Sequence, residues 1–524
     1  MKTLLKSSLI VSLLAIGACT DLDIEPTDRV TAEVLFKDES AYRAFIARVY
    51  AGLAVTGQSG PAGNADISSL DEGFSNYLRQ YWQLQELTTD EAVIGWGDEG
   101  LPDLHNHTWT PANQFVRAMY YRIFFQVSMA NEFLRETTDD KLNARGVSDA
   151  TRQSIRAYRA EARFLRALSY WHGMDLVGNI PFYTEESGFG SAPPPQATRR
   201  EIFNFIDNEL KAIENEMAAP GQNDYGRADR AAVWMLQAKL YLNARVYIGE
   251  ERNTECIAAC KKVIDTGIYS LEDNWRNLFK TDNHLSREII FAIPFDGLST
   301  QTWGGMTYLV HAPVGGSMNA ADYGINGGWF GLRTTSALVD LFPDPTGIVD
   351  ERANFYTNGQ SKEINSISNF SDGYAVQKFT NVSSDGTPGL DLDHPDTDYP
   401  MFRLADAYLM YAEAVLRGGT GGDLGTALNY VNALRERAYN NSSGNLSAAN
   451  LTLDFILNER ARELYWEGHR RTDLVRFNQF TENGVWPWKG GVKEGRTTEA
   501  FRNLFPIPTS EILANRNLQQ NTGY

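Results

Sequence analysis

The sequence predicts a mostly α fold: a frame of paired helices with an irregular, loop-rich part packed on it. Two features carry that expectation. Apolar and alanine positions recur at helical spacing in eight separate stretches. Between them lie long segments rich in Gly, Asp, Asn, Ser and aromatic residues, too long to be structureless connections inside a compact domain. A chain of 524 residues that is 43% hydrophobic and 22% charged also has enough apolar surface for a large core.

The chain opens with MKTLLKSSLIVSLLAIGAC, in which Lys2 and Lys6 precede an apolar run from Leu9 to Ile16 and then small residues. This is the pattern of a secretory signal peptide over 1–18. Ile16, Gly17, Ala18 and Cys19 resemble a bacterial lipobox, which implies cleavage before Cys19 and a lipid anchor on it. No later segment reaches about 18 apolar residues, so 19–524 reads as one domain outside the bilayer.

Helical periodicity places helices at 113–134, 152–175, 200–217, 229–247, 254–266, 401–417, 424–439 and 452–477, so the frame lies mainly in 110–280 and 401–478. Inner faces mix alanines with large residues, as in Ala160, Ala162, Leu165, Ala167 and Tyr170, or Ala232, Leu236, Ala238 and Tyr241. Small residues against aromatics let helices approach closely, which gives the frame a tetratricopeptide-like character without a clean 34-residue period. The loop-rich part is mainly 52–109, 281–400 and 481–524. Insertions of that size, held on a rigid frame, are where function is expected.

A net charge of −18 excludes nucleic acid as the main partner, because phosphate binding needs a basic field. Cys256 and Cys260, four residues apart on a helix, have no histidine or acid clustered beside them and read as buried core. For calcium, Asp391, Asp393, Asp396 and Asp398 lack EF-hand spacing, which leaves only a weak candidate site joining Asp282 to Asp398. Otherwise no cofactor is expected.

Several segments together carry a family resemblance. CTDLDIEP after the lipobox, YRAEARFLRALSYWHGMDLVGNIPF, FRLADAYLMYAEAVLRGG, ERARELYWEGHRRTDLVRF and the closing FPIPTSEILANRNLQQNTGY resemble, in order, segments of the SusD/RagB family. The resemblance implies a non-enzymatic, lipid-anchored glycan binder at the outer-membrane cell surface. It also implies a partner, a SusC-like TonB-dependent porin over which the protein closes. AVTGQSG, DEGFSNYLR, TDEA and WPWKGG resemble the starch-binding type in particular, which points to starch or maltooligosaccharide, with another neutral glycan as the alternative.

A neutral glycan site needs aromatic planes for the C–H faces of sugars and a few hydrogen-bonding groups for their hydroxyls. Trp96, Trp303 and Trp329 stand out because each is flanked by glycine, which can leave a ring face open. Each also resembles an aromatic position of the family's sugar-binding arc. Arg79, Asp98 and Glu99 are the polar candidates, although the loop after Trp96 looks one residue shorter than in the starch-binding type and carries acids where an amide is expected. Trp82, Trp109, Trp486 and Trp488 read as buried loop anchors.

The densest charge cluster, Glu459 to Phe477, looks at first like catalysis. Glu459, Glu463 and Glu467 stack at i, i+4 and i+8 with Arg460 and Arg462 beside them and Arg470 and Arg471 one turn beyond Glu467; Asp473 faces Arg470 and Arg476 three residues away, and Gly468 offers a bend. Arginines push carboxylate pKa values down, away from what a catalytic acid needs. The stretch therefore reads as a structural ion-pair network. A glycoside hydrolase would need two carboxylates about 5–10 Å apart flanking a cleft, and no pair stands out. A peptide-binding tetratricopeptide adaptor would leave the aromatic insertions without purpose.

Overall fold

Side-chain caps start most of the long helices, so their boundaries follow directly from the sequence. Asp38, Asn76, Asn113, Ser148, Asp229, Asp423 and Thr452 each accept a hydrogen bond from a backbone N–H of the first turn, and Thr198 with Glu201 forms a reciprocal capping box. The computed structural model describes residues 36, 38–61, 65–68, 70–188 and 192–524. The signal peptide expected at 1–18 and the lipidation site Cys19 lie outside the described residues.

In chain order the principal helices are α1 (Glu39–Ala51), α2 (Tyr77–Glu86), α3 (Gln114–Glu136), α4 (Asp149–Leu176), α5 (Arg199–Ile213), α6 (Arg230–Leu242), α7 (Asn253–Ile264), α8 (Gly305–His311), α9 (Leu404–Leu416), α10 (Leu424–Tyr439), α11 (Leu453–Leu464) and α12 (Arg470–Arg476). α3 packs on α4, α4 on α5, α6 on α7, α7 on α9 and α9 on α10, which is the expected series of helix pairs. Ala160, Ala162, Ala167, Ala232, Ala238, Ala405 and Ala412 are fully buried at these contacts. Cys256 and Cys260 are free and buried on α7.

The strands are short and join the irregular segments to each other and to the frame. β1 (Val93–Ile94) pairs antiparallel with β3 (Leu332–Arg333), and β2 (Ile289–Ile293) with β4 (Tyr399–Arg403). The helix expected from residue 401 thus begins only at Leu404, because 399–403 is drawn into the β2–β4 ladder. Buried apolar residues from Phe36 to Leu518 belong to a single core cluster, frame and insertions together.

Three of these helices depart from the sequence-based frame, among them α8, inside the 281–400 segment expected to be loop-rich. α1 was not anticipated, although Tyr42, Ile46 and Val49 form its buried stripe. α2 lies inside the 52–109 segment expected to be loop-rich, and all ten of its residues are buried, so it has no polar face from which a period could be read. It packs against α3, α8 and α12 and forms the floor under the site described below.

The charge cluster is buried. Glu459, Glu463 and Glu467 are at most 1% exposed. Glu459 meets Arg352, Arg435 and Arg462; Glu463 meets Arg352, Arg403 and Arg437; Glu467 meets Lys378 and Arg403. Burial alone would raise the Glu459 carboxyl, but Arg352, Arg462 and Arg435 outweigh it and hold it at about 2. Arg470 and Arg471, expected to serve Glu467, instead reach Asp90 and Asp175. Arg460 bridges Asp406 and Asp473. Since Arg352 and Lys378 come from the long insertion, the network fastens that insertion to α11. Between α11 and α12 the chain turns through left-handed Trp466 and Gly468. A Cβ at Gly468 would lie 2.7 Å from the Tyr81 ring, so only glycine fits there.

Candidate functional site: an arc of tryptophans

The short β1–β3 pairing brings together two tryptophans far apart in sequence. Val93 pairs with Arg333 and Ile94 with Leu332, and the Gly95 N–H donates to the Gly331 carbonyl at 2.9 Å. Trp96 follows directly and lies beside Trp329, ring centroids 6.2 Å apart and planes 44° apart. Its indole N–H donates to the Trp329 carbonyl at 3.1 Å. A Cβ at Gly331 would stand 2.6 Å from the Trp96 ring, so this glycine is required for close approach. Gly97 and Gly327, by contrast, border open space, and there the expected clearing of neighbouring side chains does occur.

Trp303 completes the row on the other side of Trp329, with centroids 6.4 Å apart and planes 49° apart. It is 38% exposed, while Trp96 and Trp329 are half-buried. Its loop is latched from below. Glu72 accepts hydrogen bonds from the Trp303 N–H at 2.8 Å and the Thr302 hydroxyl at 2.7 Å, and Asn76, the cap of α2, reaches Thr302 at 3.4 Å.

Each of the three rings has its own aromatic brace. Trp96 meets the edge of buried Tyr308 at 5.9 Å, Trp329 stacks on His311 at 4.9 Å and 25°, and Trp303 leans on His394 at 4.9 Å. His311 is fixed between two carbonyls, Gly327 at 2.7 Å and Asp393 at 3.0 Å, and burial draws its pKa down. Such bracing holds the rings in place before any ligand arrives. Neither histidine stood out in sequence, because contacts with partners 18 and 91 positions away leave no spacing signal.

The polar candidates fall into two layers. Arg79, on α2, is only 3% exposed and lies behind the rings. Its guanidinium sits 4.2 Å from the Tyr308 ring centre, 4.7 Å from Phe74 and 5.9 Å from Trp96, and donates to the Trp303 carbonyl at 3.4 Å. Its Nε and Nη2 have no hydrogen-bond partner among the described residues, and burial lowers its pKa. Arg79 thus supports the arc from beneath through cation–π contacts. Asp98 is half-buried and Glu99 exposed at the Trp96 end. Asp98 is close enough to act electrostatically on both Arg79 and Tyr308.

Trp82 and Trp109 are buried anchors, as expected, donating their indole N–H to the Trp466 carbonyl and the Tyr524 hydroxyl. Trp486 is also buried, and half-buried Trp488 donates to the Ile364 carbonyl. Both calcium candidates have hydrogen-bond partners within the protein. Asp282 accepts from the Ser384 backbone and hydroxyl, while Asp398 accepts from the Phe295 N–H at 2.7 Å and the Tyr225 hydroxyl at 2.6 Å. Among the described residues no group of three or more His, Cys, Asp or Glu side chains is placed to hold a metal ion. No helix among them is long and apolar enough to cross a membrane.

The chain has relatives among known proteins. Residues 349–524 match the model of the SusD family. The chain is 36% identical to the starch-binding protein SusD of Bacteroides thetaiotaomicron, over 99% of this chain and 98% of that protein. It is 24% identical to a SusD-like protein of Bacteroides ovatus, over 96% and 88% of the two chains. Among solved structures, a SusD superfamily protein from Bacteroides vulgatus superposes with a TM-score of 0.71 at 19% identity, covering 93% of this chain and all of that one. Surface glycan-binding protein A from Bacteroides thetaiotaomicron, in complex with laminarihexaose, superposes with a TM-score of 0.69 at 19% identity, covering 92% and 99%.

Proposed function

The chain belongs to the SusD family, and from that premise we propose that it is a cell-surface starch- or maltooligosaccharide-binding lipoprotein that delivers captured glycan to a SusC-like TonB-dependent outer-membrane transporter. Residues 19–524 act as one unit, anchored in the outer membrane through lipid on Cys19. Trp96, Trp329 and Trp303 carry the sugar faces. Asp98 and Glu99 meet hydroxyls at one end, and Arg79 lines the floor.

The observation that carries this reading is the ring geometry. Three partly exposed tryptophans stand in a row, each turned 44° or 49° from the next and each braced from behind. Coplanar rings would suit a flat β-1,4-linked chain; successive tilts of this size suit a glucan that curves. A 36%-identical relative is named for starch binding.

The site is one for binding without turnover. A hydrolase needs one carboxyl poised as acid and a second across the scissile bond. Here Glu72 is committed to Thr302 and the Trp303 backbone, and Asp98 and Glu99 are adjacent on one side of the arc.

Isothermal titration with maltoheptaose, cyclodextrin, levan and laminarihexaose, together with a reducing-sugar assay, tests the proposal. It expects binding of the α-glucans, with the sugar recovered intact. A preference for laminarihexaose would keep the binder but replace the glycan. Release of reducing ends would overturn the binder itself.

A further inference from the structure

The residue after Trp329 is as unusual as Trp329 itself. Phe330 is 53% exposed and has a left-handed backbone, φ 56°, a conformation costly for a bulky L-residue. Glycine occupies 327, 328 and 331, yet the strained position carries a ring. The backbone on both sides is pinned. Trp329 N–H donates to the His311 carbonyl at 2.9 Å, Phe330 N–H to Val314 at 3.0 Å, and the N–H groups of Gly331 and Leu332 to Ala312 at 2.8 and 2.9 Å. That zipper holds the left-handed turn and leaves the Phe330 ring in the open.

The ring also has a prepared seat. A Cβ at Gly315 would lie 2.6 Å from it, so it rests against bare backbone, and Phe370 supports it edge-on at 5.5 Å and 66°. Just past Gly315 and Gly316, exposed Ser317 shares a hydrogen bond with the Tyr356 hydroxyl at 3.0 Å and donates to the Asn358 carbonyl at 2.8 Å. A braced aromatic face followed along the chain by surface hydroxyl and amide groups repeats the two ingredients of the arc.

We infer that Phe330, with Ser317, Tyr356 and Asn358, forms a further sugar subsite that takes a unit of the glycan chain beyond the three stacked on the arc. The protein thereby discriminates oligosaccharides by length. This rests on the arc being the glycan site. Strain kept at an aromatic residue that is still 53% exposed after being seated on Gly315 and Phe370 is explained if its open face meets ligand.

Titration of wild type, Phe330→Gly, Phe330→Tyr and Asn358→Ala with maltotriose and maltoheptaose separates the possibilities. Phe330→Gly removes the ring and relieves the left-handed strain, so its thermal midpoint should stay the same or rise. Its maltoheptaose affinity should fall about 5- to 150-fold, the scale of one lost stacking contact, while maltotriose changes less than about twofold. Phe330→Tyr should restore binding, and Asn358→Ala should show a weaker, equally length-dependent loss. An unchanged maltoheptaose affinity, or an equal loss for both lengths, would overturn the subsite while leaving the arc standing. Absence of binding to either sugar in wild type would bring down the arc reading and this inference with it.

Discussion

Trp329→Ala is the substitution on which the arc depends most, because Trp329 is the ring that touches both others, at 6.2 and 6.4 Å. The variant keeps the backbone carbonyl that receives the Trp96 indole N–H, so Trp96 stays in place and the loss is that of the ring itself. An aromatic face stacked on a ring-shaped ligand contributes roughly 1–3 kcal/mol by analogy with base stacking, which corresponds to about a 5- to 150-fold weaker dissociation constant. The ring is half-buried and leans on His311, so the fold should lose no more than about 1–2 kcal/mol. Isothermal titration with maltoheptaose reads the affinity, and thermal unfolding checks the fold. A well-folded variant that binds within about twofold of wild type would refute the reasoning.

Three further substitutions test the supports. Glu72→Gln replaces one acceptor oxygen beneath Trp303 with an amide, so the loop should loosen and maltoheptaose affinity drop by about 1–2 kcal/mol, with no comparable loss of stability; a stability loss with binding unchanged would contradict the latch. Glu463→Gln leaves Arg352, Arg403 and Arg437 short of a buried partner, and denaturant unfolding should show a loss of about 3–5 kcal/mol. His172 is buried with its Nδ1 on the Tyr77 hydroxyl at 2.7 Å, and burial pulls its pKa down to about 3. The unfolded chain therefore binds this proton first, and the stability it confers, present above about pH 6.5, declines as pH falls toward the folded value. His172→Gln should flatten the stability–pH curve between about pH 6 and 4 by up to ~1.4 kcal/mol per unit, and an unchanged slope would refute the assignment.

How much could be read in advance depended on the physical signal each part leaves in sequence. Helices with one wet face announce themselves by period, and α3 to α7 and α9 to α11 lie close to where the period put them. α2 escaped because Arg79, Gln80, Gln83, Gln85 and Glu86 are buried with the rest of the helix, so polarity there marks hydrogen bonding inside the protein. The cluster from Glu459 onward was recognisable as ion pairing, yet its partners were not, since Arg352 and Lys378 lie 107 and 89 residues from the glutamates they meet.

At the site, the glycines beside the tryptophans serve partly different ends from the one expected. Gly97 and Gly327 do open space, whereas Gly331 exists so that the Trp96 ring can lie against it, and Gly328 so that the backbone can approach the Val314 carbonyl. The histidine braces and the Glu72 latch depend on contacts that only the folded chain creates. So does the withdrawal of Arg79 beneath the rings.

The central claim is that Trp96, Trp329 and Trp303 together form the surface that holds the glycan. A crystal structure of the protein with maltoheptaose tests it most directly. The account predicts an intact, curved chain with successive glucose units stacked on these three rings and its next unit over Phe330. Sugar bound elsewhere on the molecule, with the three rings bare, would contradict it.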